Sequence, residues 1–553
     1  MLKKLTSGAV AAGTSLKVLG SAGVIRPYSP ATLARLGRTL KAWGTGPAGG
    51  FTSLALRVPD QVGIVDELGE LTWGELHARS NSLAHALREL GVEEGDGVAV
   101  MCRNHRGFVD ASIAVAKLGA DTIYLNTAFA GPQLLEVLER DQPKVLVYDD
   151  EFAGLVAKAS VDIKVVGWTD EGSAGGDTPT LESLIESHDS QDLSPPSRHG
   201  RIIILTSGTT GTPKGAPRTE AGVEAAVALL GSIPLKAGYR THIAAPLFHT
   251  WGYAHLGLAM LLGTPVVLRR RFDPEGFLET IEREHCQAAA VIPVMLQRVL
   301  ALPRETQDRH DLADLKVVAS SGSALPGDLA LTWMDRFGDN LYSTYGSTEV
   351  AYAAIAGPDD LRADPGTAGR PPFATTVKIL DEQGREVPQG TPGRIFVGNG
   401  LLVEGYTGGG HKEVVDGLMS SGDVGRIGDD GRLYIEGRDD EMIVSGGENV
   451  FPKEVEDCLA RHEAVTEVAA VGIDDDDFGK RLRAFVVVAA DAQVTEDDLK
   501  GWVKENLARY KVPREIVFLD ELPRNSTGKV LKRELAQDDT GATDGADTGS
   551  DGE

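Results

Sequence analysis

Short apolar segments alternate with helical ones along the first half of the chain, and this pattern restricts the fold more than any other feature. Four leucines between residues 76 and 90 have helical spacing, and Gly91 predicts the end of that helix. The next apolar segment, Gly97–Met101, predicts a buried strand, and the alternation recurs over residues 108–148. Continuous apolar strands separated by helices are typical of parallel sheets covered on both faces, so the pattern predicts an α/β fold.

The pattern changes in the C-terminal part of the chain. Between residues 375 and 397, short strands separated by turns predict an antiparallel subdomain. A last α/β unit begins near Gly437, with a predicted helix over 452–462, a strand over 484–489 and a helix around 499–507. The chain therefore combines a large α/β part with smaller units that follow it.

Length and charge restrict the classes of function. The chain has 553 residues, 42% of them hydrophobic, which is enough for several domains at about 100–200 residues each. Its 55 basic and 81 acidic residues give a net charge of −26, which argues against a general nucleic-acid binder. Residues 1–59 hold eight basic residues and no acid, whereas residues 538–553 hold six acids and no base. We predict a basic leader and a disordered acidic tail.

Cysteine usage and hydropathy indicate a cytoplasmic protein. The three cysteines lie far apart, which favours neither a disulfide framework nor a Cys-based zinc site. The longest apolar stretch, 256–268, is interrupted by Pro265 and is shorter than the roughly 18–20 residues that span a bilayer. The leader is a poor signal peptide because Lys17 interrupts its apolar region.

The segment from Arg201 to Gly215 is the most informative about chemistry. A buried strand runs into a loop of glycines and hydroxyl residues with one lysine, which together offer N–H groups, hydroxyls and a cation to phosphate oxygens. The loop is not a Walker A loop, because Gly208 and Gly211 are too closely spaced and Gly215 follows the lysine where that loop has Ser or Thr. On composition alone, a plain surface loop is the alternative. The loop residues concerned are Thr206, Ser207, Gly208, Thr209, Thr210, Gly211 and Lys214.

The loop sequence TSGTTGTPKG resembles the phosphate loop of the adenylate-forming superfamily, which includes acyl-CoA synthetases, firefly luciferase and nonribosomal peptide adenylation domains. Further segments appear in that family's order between about residues 71 and 531. They are PLFH at 246–249, SGSA at 321–324, YGSTE at 345–349, SGD at 421–423, GRDD at 437–440 and PRNSTGK at 523–529.

The resemblance implies a fold and a reaction. The fold would have a large N-terminal domain of layered sheets and helices with a small β-barrel-like subdomain, and a smaller mobile C-terminal α+β domain. We place the leader at 1–50, the AMP-binding domain at 51–436, the C-terminal domain at 437–536 and the tail at 537–553. Such enzymes convert a carboxylate and MgATP to an acyl-adenylate and pyrophosphate, and the synthetases then transfer the acyl group to coenzyme A.

The resemblance also assigns roles on the phosphate side of the nucleotide. The hydroxyl residues of the loop and Lys214 would hold the β- and γ-phosphates. Glu349 would bind Mg²⁺ together with Thr206, and Thr348 would lie beside the α-phosphate. Read without the resemblance, Glu349 is a residue at a helix start.

On the adenosine side, Tyr345 matches the aromatic that stacks on adenine. Asp423 matches the carboxylate that accepts hydrogen bonds from the ribose hydroxyls, and Arg438 reaches the ribose and phosphate side. Ser343 replaces the amide that many members carry, so the resemblance assigns no adenine-edge contact there. The other predicted nucleotide-binding residues are Gly322, Ser323, Ala324, Thr344, Gly346 and Tyr434.

Three further assignments concern catalysis and domain movement. His249 would adjoin the carboxylate substrate, although a buried structural histidine is the default interpretation. Lys529 would meet the substrate carboxylate and the α-phosphate during adenylation, although a lysine in such a turn is usually solvated. Asp440 matches the hinge of the mobile domain, and Gly446 and Gly447 would face the pantetheine of coenzyme A in the second state.

The wording of these motifs is nearest to bacterial fatty-acid CoA ligases, so we expect a medium- or long-chain fatty acid as substrate. Alanines after Glu349 would suit a narrow acyl pocket, which Tyr352 would shorten. The alternatives are an aryl-CoA ligase, an adenylate-only enzyme such as a fatty acyl-AMP ligase, a nonribosomal adenylation domain, a luciferase-like oxygenase, and a catalytically silent nucleotide-binding protein. The sequence gives no indication of oligomeric state.

The basic leader suggests a further partner. Its Arg and Lys residues are interleaved with Leu, Val and Ala, which would allow peripheral contact with anionic lipid on the inner membrane face. A solvated N-terminal arm is the alternative.

Overall fold

The computed structural model describes most of the chain. The described residues are 2–129, 131–170, 177–205, 214–218, 222–403, 405–406, 411–439, 441, 443–445, 448–475, 479–489, 492–508, 511–525 and 528–537. They fall into two compact units. The first comprises residues 1–378, 396–421 and 429–433, and the second comprises residues 379–395, 422–428 and 434–553.

Helices occur in both units. In chain order they are α1 Leu2–Ser21, α2 Pro30–Trp43, α3 Pro47–Arg57, α4 Trp73–Glu89, α5 Arg106–Lys117, α6 Gly131–Asp141, α7 Ala153–Val156, α8 Leu181–Glu186, α9 Val223–Ser232, α10 Thr250–Leu262, α11 Pro274–Arg283, α12 Pro293–Leu300, α13 Arg304–Asp308, α14 Gly327–Phe337, α15 Pro358–Ala363, α16 Pro452–Leu459, α17 Glu496–Asn506 and α18 Lys532–Gln537.

Strands also occur in both units. In chain order they are β1 Val62–Asp66, β2 Gly69–Thr72, β3 Gly97–Met101, β4 Asp121–Tyr124, β5 Val145–Asp149, β6 Ile163–Trp168, β7 Ile202–Leu205, β8 Gly215–Arg218, β9 Thr241–Ile243, β10 Val266–Val267, β11 Ala288–Val291, β12 Val317–Ser320, β13 Leu341–Tyr345, β14 Ala354–Ala356, β15 Thr376–Leu380, β16 Gly393–Gly398, β17 Val414–Val415, β18 Leu418–Ile427, β19 Leu433–Arg438, β20 Ile443–Ser445, β21 Glu448–Val450, β22 Val465–Asp475, β23 Gly479–Val488 and β24 Glu515–Phe518.

Two large sheets form the first unit, as the alternating pattern predicted. One has the strand order β6-β5-β3-β4-β7-β8, and its pairs are parallel except the last, β7 with β8. The other has the order β14-β13-β12-β11-β9-β10-β1-β2, with antiparallel strands only at its two ends. Their central strands are buried on both faces, which explains why the sequence shows continuous apolar runs there.

Local signals in the sequence account for the helix ends. Helix α4 begins with a capping box in which Thr72 and Glu75 bond each other's backbone N–H groups. The apolar stretch that begins at Leu256 belongs to α10, which Gly263 ends in a left-handed conformation with φ 64°. Among the described residues, no helix combines the length and the hydropathy needed to cross a bilayer.

The smaller sheets are formed by the C-terminal third of the chain. Five strands have the order β15-β16-β18-β17, with β19 paired to β18. In the second unit, a sheet of order β21-β20-β23-β22, with β24 on β23, packs against α16, α17 and α18. Its long hairpin pairs Val465–Asp475 with Gly479–Val488.

The leader is helical and partly packed on the first unit. The end of α1 contacts α9, and Ala22 is buried in an apolar cluster that also contains residues of α9 and α10. Helix α2, by contrast, has no buried residue along its 14 residues. The leader is therefore neither a free arm nor a fully packed element.

Candidate functional site

Three predicted motifs follow neighbouring strands of the second sheet. Strand β9 leads into 244–249, β12 leads into 321–324, and β13 leads into 346–349. Because β9, β11, β12 and β13 are parallel, their carboxyl ends share one edge of the sheet. In open α/β sheets ligands bind at that edge, so the fold brings the three motifs together where a nucleotide and an acid would meet.

His249 lies at the start of α10 as its N-cap residue. The loop before it is held by Asn104, whose amide donates to the carbonyls of Ile243 and Ala245 at 3.0 and 2.9 Å. The Nε2 atom of His249 is buried without a hydrogen-bond partner in the described structure. Burial lowers the pKa of His249 to about 4, so the imidazole is neutral near pH 7 and its Nε2 is available to a ligand.

The loop from Tyr345 to Glu349 is fixed by close backbone packing. A Cβ on Gly346 would lie 2.2 Å from the carbonyl oxygen of Ala351, so only glycine fits there without displacing backbone. The Tyr345 hydroxyl lies 3.2 Å from the Ser421 hydroxyl. Ser321 donates to the Thr344 carbonyl at 2.8 Å, which joins the second motif to the third.

Glu349 makes hydrogen bonds through both its backbone carbonyl and its carboxylate. Its backbone carbonyl accepts from the amide of Val403 at 2.9 Å, and its Oε1 atom accepts a 2.7 Å hydrogen bond from the hydroxyl of Tyr406. Burial opposes ionisation of the carboxyl, but hydrogen bonds from Tyr406 and Ser347 prevail, so the pKa of Glu349 lies below its usual value. Glu349 is therefore ionised at neutral pH.

Lys214, at the end of the predicted phosphate loop, is exposed and lies over the same tyrosine. Its Nζ atom is 5.2 Å from the centre of the Tyr406 ring, within the range of a cation–π interaction. Tyr406 thus contacts both the candidate phosphate cation and the candidate metal ligand.

These residues suit a magnesium ion and its nucleotide. Mg²⁺ prefers hard oxygen ligands and is usually held by one or two carboxylates together with substrate phosphates. Glu349 offers an ionised, largely buried carboxylate, one of whose oxygens is engaged by Tyr406. Thr206, the second predicted ligand, lies outside the described residues.

The second unit holds a separate group of predicted residues. Asp423 on β18 is buried, and its Oδ1 atom lies 3.6 Å from Nη1 of Arg438 at the end of β19. Burial and the Arg438 cation lower the pKa of Lys529, while the carboxylates of Glu441 and Asp423 oppose that shift. The residues predicted for the ribose and for adenylation therefore act on one another electrostatically.

The turn that presents Lys529 is tightly made. Asn525 accepts a hydrogen bond from the Lys529 backbone N–H through its side chain at 2.9 Å, and its own N–H donates to the Lys529 carbonyl at 2.9 Å. Gly528 has φ 76°, a conformation that favours glycine. The turn thus needs a side chain at position 525 that can accept a hydrogen bond and a residue at position 528 that tolerates positive φ.

Several predicted residues lie outside the described part of the chain. They are Thr206, Ser207, Gly208, Thr209, Thr210, Gly211, Asp440, Gly446 and Gly447. The remaining ones lie beside residues of the same motifs: Ser323 and Ala324 follow Gly322 in the loop after β12, Thr348 precedes Glu349, and Tyr434 lies on β19 under the Arg426 guanidinium.

Sequence reasoning missed two residues of this site. Tyr406 lies in a glycine-rich segment, where its phenol group was the only indication of a role. Asn399 donates to the carbonyls of Val350 and Tyr352 at 2.8 and 2.7 Å and so holds the chain beyond Glu349 in place.

Two other clusters of polar residues have structural explanations. In the buried group Cys102, His105 and Asp149, His105 donates from Nε2 to Asp149 at 2.8 Å and accepts at Nδ1 from Gly107 at 3.0 Å. Both ring nitrogens are thus engaged within the protein. A cavity of about 490 Å³ beside α11 is lined by four arginines, but four carboxylates line it too, so it offers no net positive charge.

Comparison with known proteins agrees with this geometry. A family model described as AMP-binding enzyme matches residues 51–407, and one described as AMP-binding enzyme C-terminal domain matches residues 454–529. The chain is 34% identical over 471 residues to a feruloyl-CoA synthase of Amycolatopsis sp, covering 84% of this chain and 93% of the relative. It is 33% identical over 487 residues to a 2-succinylbenzoate–CoA ligase of Bacillus licheniformis, covering 86% and 97%.

A solved structure extends the similarity to three dimensions. The crystal structure of an anthranilate CoA ligase in complex with anthranoyl-AMP superimposes with a TM-score of 0.79 at 25% sequence identity. The match covers 88% of this chain and 96% of that one.

Proposed function

Because the chain belongs to the AMP-binding enzyme family, as an acyl-CoA synthetase that uses ATP, Mg²⁺ and coenzyme A, we propose that its substrate is an aromatic carboxylic acid. The sequence favoured a fatty acid and kept an aryl acid as the alternative. The substrates named for the three similar proteins described above, ferulate, 2-succinylbenzoate and anthranilate, are aromatic acids and support this alternative, although a fatty acid–acyl-carrier-protein ligase is also similar at 30% identity.

One observation in the structure carries the choice. The Trp251 indole N–H points at the carbonyls of Val291 and Ala319, at 3.1 and 3.3 Å, and so fixes the ring at the carboxyl ends of β11 and β12. Trp251 packs against the apolar cluster that also buries Tyr352. If the acid binds beside α10, these two aromatic side chains would leave less room there for a long alkyl chain. A compact, flat acid suits such walls better.

A coupled assay tests this proposal. Pyrophosphate release would be measured with cinnamate- and benzoate-type acids and with octanoate and palmitate, each with and without coenzyme A. We expect the best aromatic acid to exceed the best alkyl acid by at least about tenfold in kcat/KM, since a single misfit in an apolar pocket is worth roughly that factor. Alkyl acids that outperform every aromatic acid would overturn the substrate class. Release without consumption of coenzyme A would indicate an adenylate-only enzyme.

The residues of the first unit would serve the nucleotide and the acid. Tyr345 would stack on adenine, Lys214 would neutralise phosphate charge, and Glu349 would hold Mg²⁺. When bound, the metal would supply positive charge where negative charge develops on the phosphate oxygens during attack. Neutral His249 would offer Nε2 to the acid substrate without adding a competing charge.

The residues of the second unit would serve the ribose and the adenylation step. Asp423 would accept hydrogen bonds from the ribose hydroxyls, and Arg438 and Lys529 would stabilise developing negative charge. Asp440 would be the hinge of a C-terminal domain that begins near Gly437. This domain would serve adenylation in one orientation and thioester formation in the other.

We further infer that α2 contacts anionic membrane surfaces. Leu33 and Leu40 on this helix are 54% and 39% exposed, and the helix also carries Arg35, Arg38 and Lys41. An amphipathic helix with basic residues on its polar face is suited to the surface of an anionic bilayer. Contact with lipid would cover apolar surface that the folded protein leaves open.

Vesicle co-sedimentation tests the membrane contact. Leu33→Ser with Leu40→Ser should reduce binding to phosphatidylglycerol-containing vesicles several-fold. Leu68→Ser is the matched control because Leu68 is 59% exposed elsewhere in the same unit. Equal binding by all three proteins, or equal binding to neutral vesicles, would remove the membrane role.

A further inference from the structure

Tyr406 lies between two opposite charges that the reaction needs separately. Its hydroxyl donates to Oε1 of Glu349 at 2.7 Å, and its ring face lies 5.2 Å from Nζ of Lys214. The described structure shows no ion pair between Lys214 and Glu349. The tyrosine is thus the uncharged group that contacts both.

Without Tyr406 between them, Lys214 and Glu349 could form a direct ion pair that would hinder binding. A lysine and a glutamate that contact the same tyrosine have opposite charges, and Coulomb attraction would favour a direct ion pair if nothing lay between them. Such a pair would occupy the carboxylate that binds Mg²⁺ and the ammonium group that binds phosphate. Phosphate and metal would then have to break the pair before they bind.

We propose that Tyr406 is a positioning residue that orients the Glu349 carboxylate for Mg²⁺ and holds Lys214 apart from it. The hydroxyl engages Oε1 and, together with the Ser347 hydrogen bond, restricts the orientation of the carboxylate, whose remaining lone pairs would face the metal. The ring offers Lys214 a weak contact that phosphate can replace, because a cation–π contact at an exposed site stabilises only slightly. The inference rests on the proposed role of Glu349 as metal ligand.

The backbone keeps this arrangement in register. The carbonyl of Glu349 accepts from the N–H of Val403, three residues before Tyr406. The two segments are thus joined both through this backbone hydrogen bond and through the Tyr406 side chain. Asn399 joins the same segment to Val350 and Tyr352. These hydrogen bonds hold the Tyr406 segment against the Glu349 segment, so the fold places the hydroxyl beside the carboxylate.

Equilibrium binding to the full-length protein tests the inference without turnover. Mn²⁺ affinity would be measured by electron paramagnetic resonance in the presence of α,β-methylene-ATP, whose α–β linkage cannot be cleaved. Tyr406→Phe keeps the ring and removes the hydroxyl, so Mn²⁺ affinity should fall about tenfold with metal-free nucleotide affinity unchanged. Tyr406→Leu also removes the ring, so metal-free nucleotide affinity should fall by a further few-fold.

The control is Tyr239→Phe, because Lys316 lies over the Tyr239 ring at 5.9 Å without any predicted role. This variant should bind Mn²⁺ and nucleotide as the unmodified protein does. Unchanged Mn²⁺ affinity in Tyr406→Phe would overturn the inference, as would an equal loss of both affinities with a lowered melting temperature. Glu349→Gln separates the two proposals: if it leaves Mn²⁺ affinity intact, the metal role of Glu349 fails first.

Discussion

The guanidinium of Arg438 lies 3.6 Å from the carboxylate of Asp423, and both groups act on Lys529 with opposite sign. Arg438 disfavours the charged amine and Asp423 favours it, while burial adds to the effect of Arg438. Lys529 consequently loses its proton at a lower pH than an ordinary lysine. The charge of this residue is set within the second unit itself.

The pH dependence of adenylate formation should report this balance. If Lys529 acts as a cation, single-turnover adenylation falls as pH rises through its lowered pKa. Arg438→Gln removes a cation, raises that pKa and moves the alkaline midpoint to higher pH, whereas Asp423→Asn moves it to lower pH. Arg385→Gln, an exposed arginine in the same unit, should leave the midpoint in place. Midpoints that coincide in all four proteins would show that another group titrates.

Removal of the Lys529 amine should separate the two half-reactions. Lys529→Ala should reduce adenylate formation about 10²–10³-fold, because a preorganised charge at the reacting phosphate is lost. Thioester formation from a supplied acyl-adenylate should be nearly unchanged. Lys500→Ala removes a lysine that pairs with Glu496 on helix α17 and is the control. Equal losses in both half-reactions would contradict the assigned role.

A smaller residue at position 352 should lengthen the accepted acid. Tyr352 is only 4% exposed, and Tyr352→Leu opens space in its cluster that an alkyl chain can fill. The ratio of kcat/KM for octanoate to that for a cinnamate-type acid should rise about tenfold. Phe337→Leu shortens a partly buried aromatic in a different cluster and should leave the ratio unchanged. A ratio that moves equally in both variants would point to general loosening.

Loss of a buried cation should destabilise the first unit. The Arg106 guanidinium donates to Asp66 at 2.5 Å, and both side chains are at most 9% exposed. Arg106→Met leaves the carboxylate uncompensated and should lower the free energy of unfolding by about 3–5 kcal/mol. Urea denaturation followed by tryptophan fluorescence measures this. Arg304→Met disrupts an exposed pair with Asp308 and should cost less than about 1 kcal/mol.

Much of the fold could be predicted because the signals are local. Strand Gly97–Met101 and the start of helix α16 were predicted from continuous apolar runs and helix-start residues. Helix α1 was not predicted, because glycine and threonine dilute its apolar face. The family resemblance assigned both Asp423 and Arg438 to the ribose side, but Tyr406 could not be found, since a hydrogen bond between distant segments leaves no periodic pattern. The sequence suggested that Tyr352 would shorten the proposed acid pocket, but the hydrogen bonds that fix Trp251 against β11 and β12 join distant segments and leave no local pattern.

At the carboxyl edge of the second sheet, separate loops carry the candidate site residues. The residues proposed to lie near the acid, His249 and Trp251, come from the loop and helix after β9, whereas Tyr345 ends β13 and Glu349 lies in the loop that follows it. Each loop is anchored on its own strand of a rigid sheet. If these roles hold, substitutions in the segment after β9 would alter the proposed acid pocket while Tyr345 and Glu349 keep their backbone positions. The proposed acid specificity could then change while the residues proposed to bind the nucleotide stay the same.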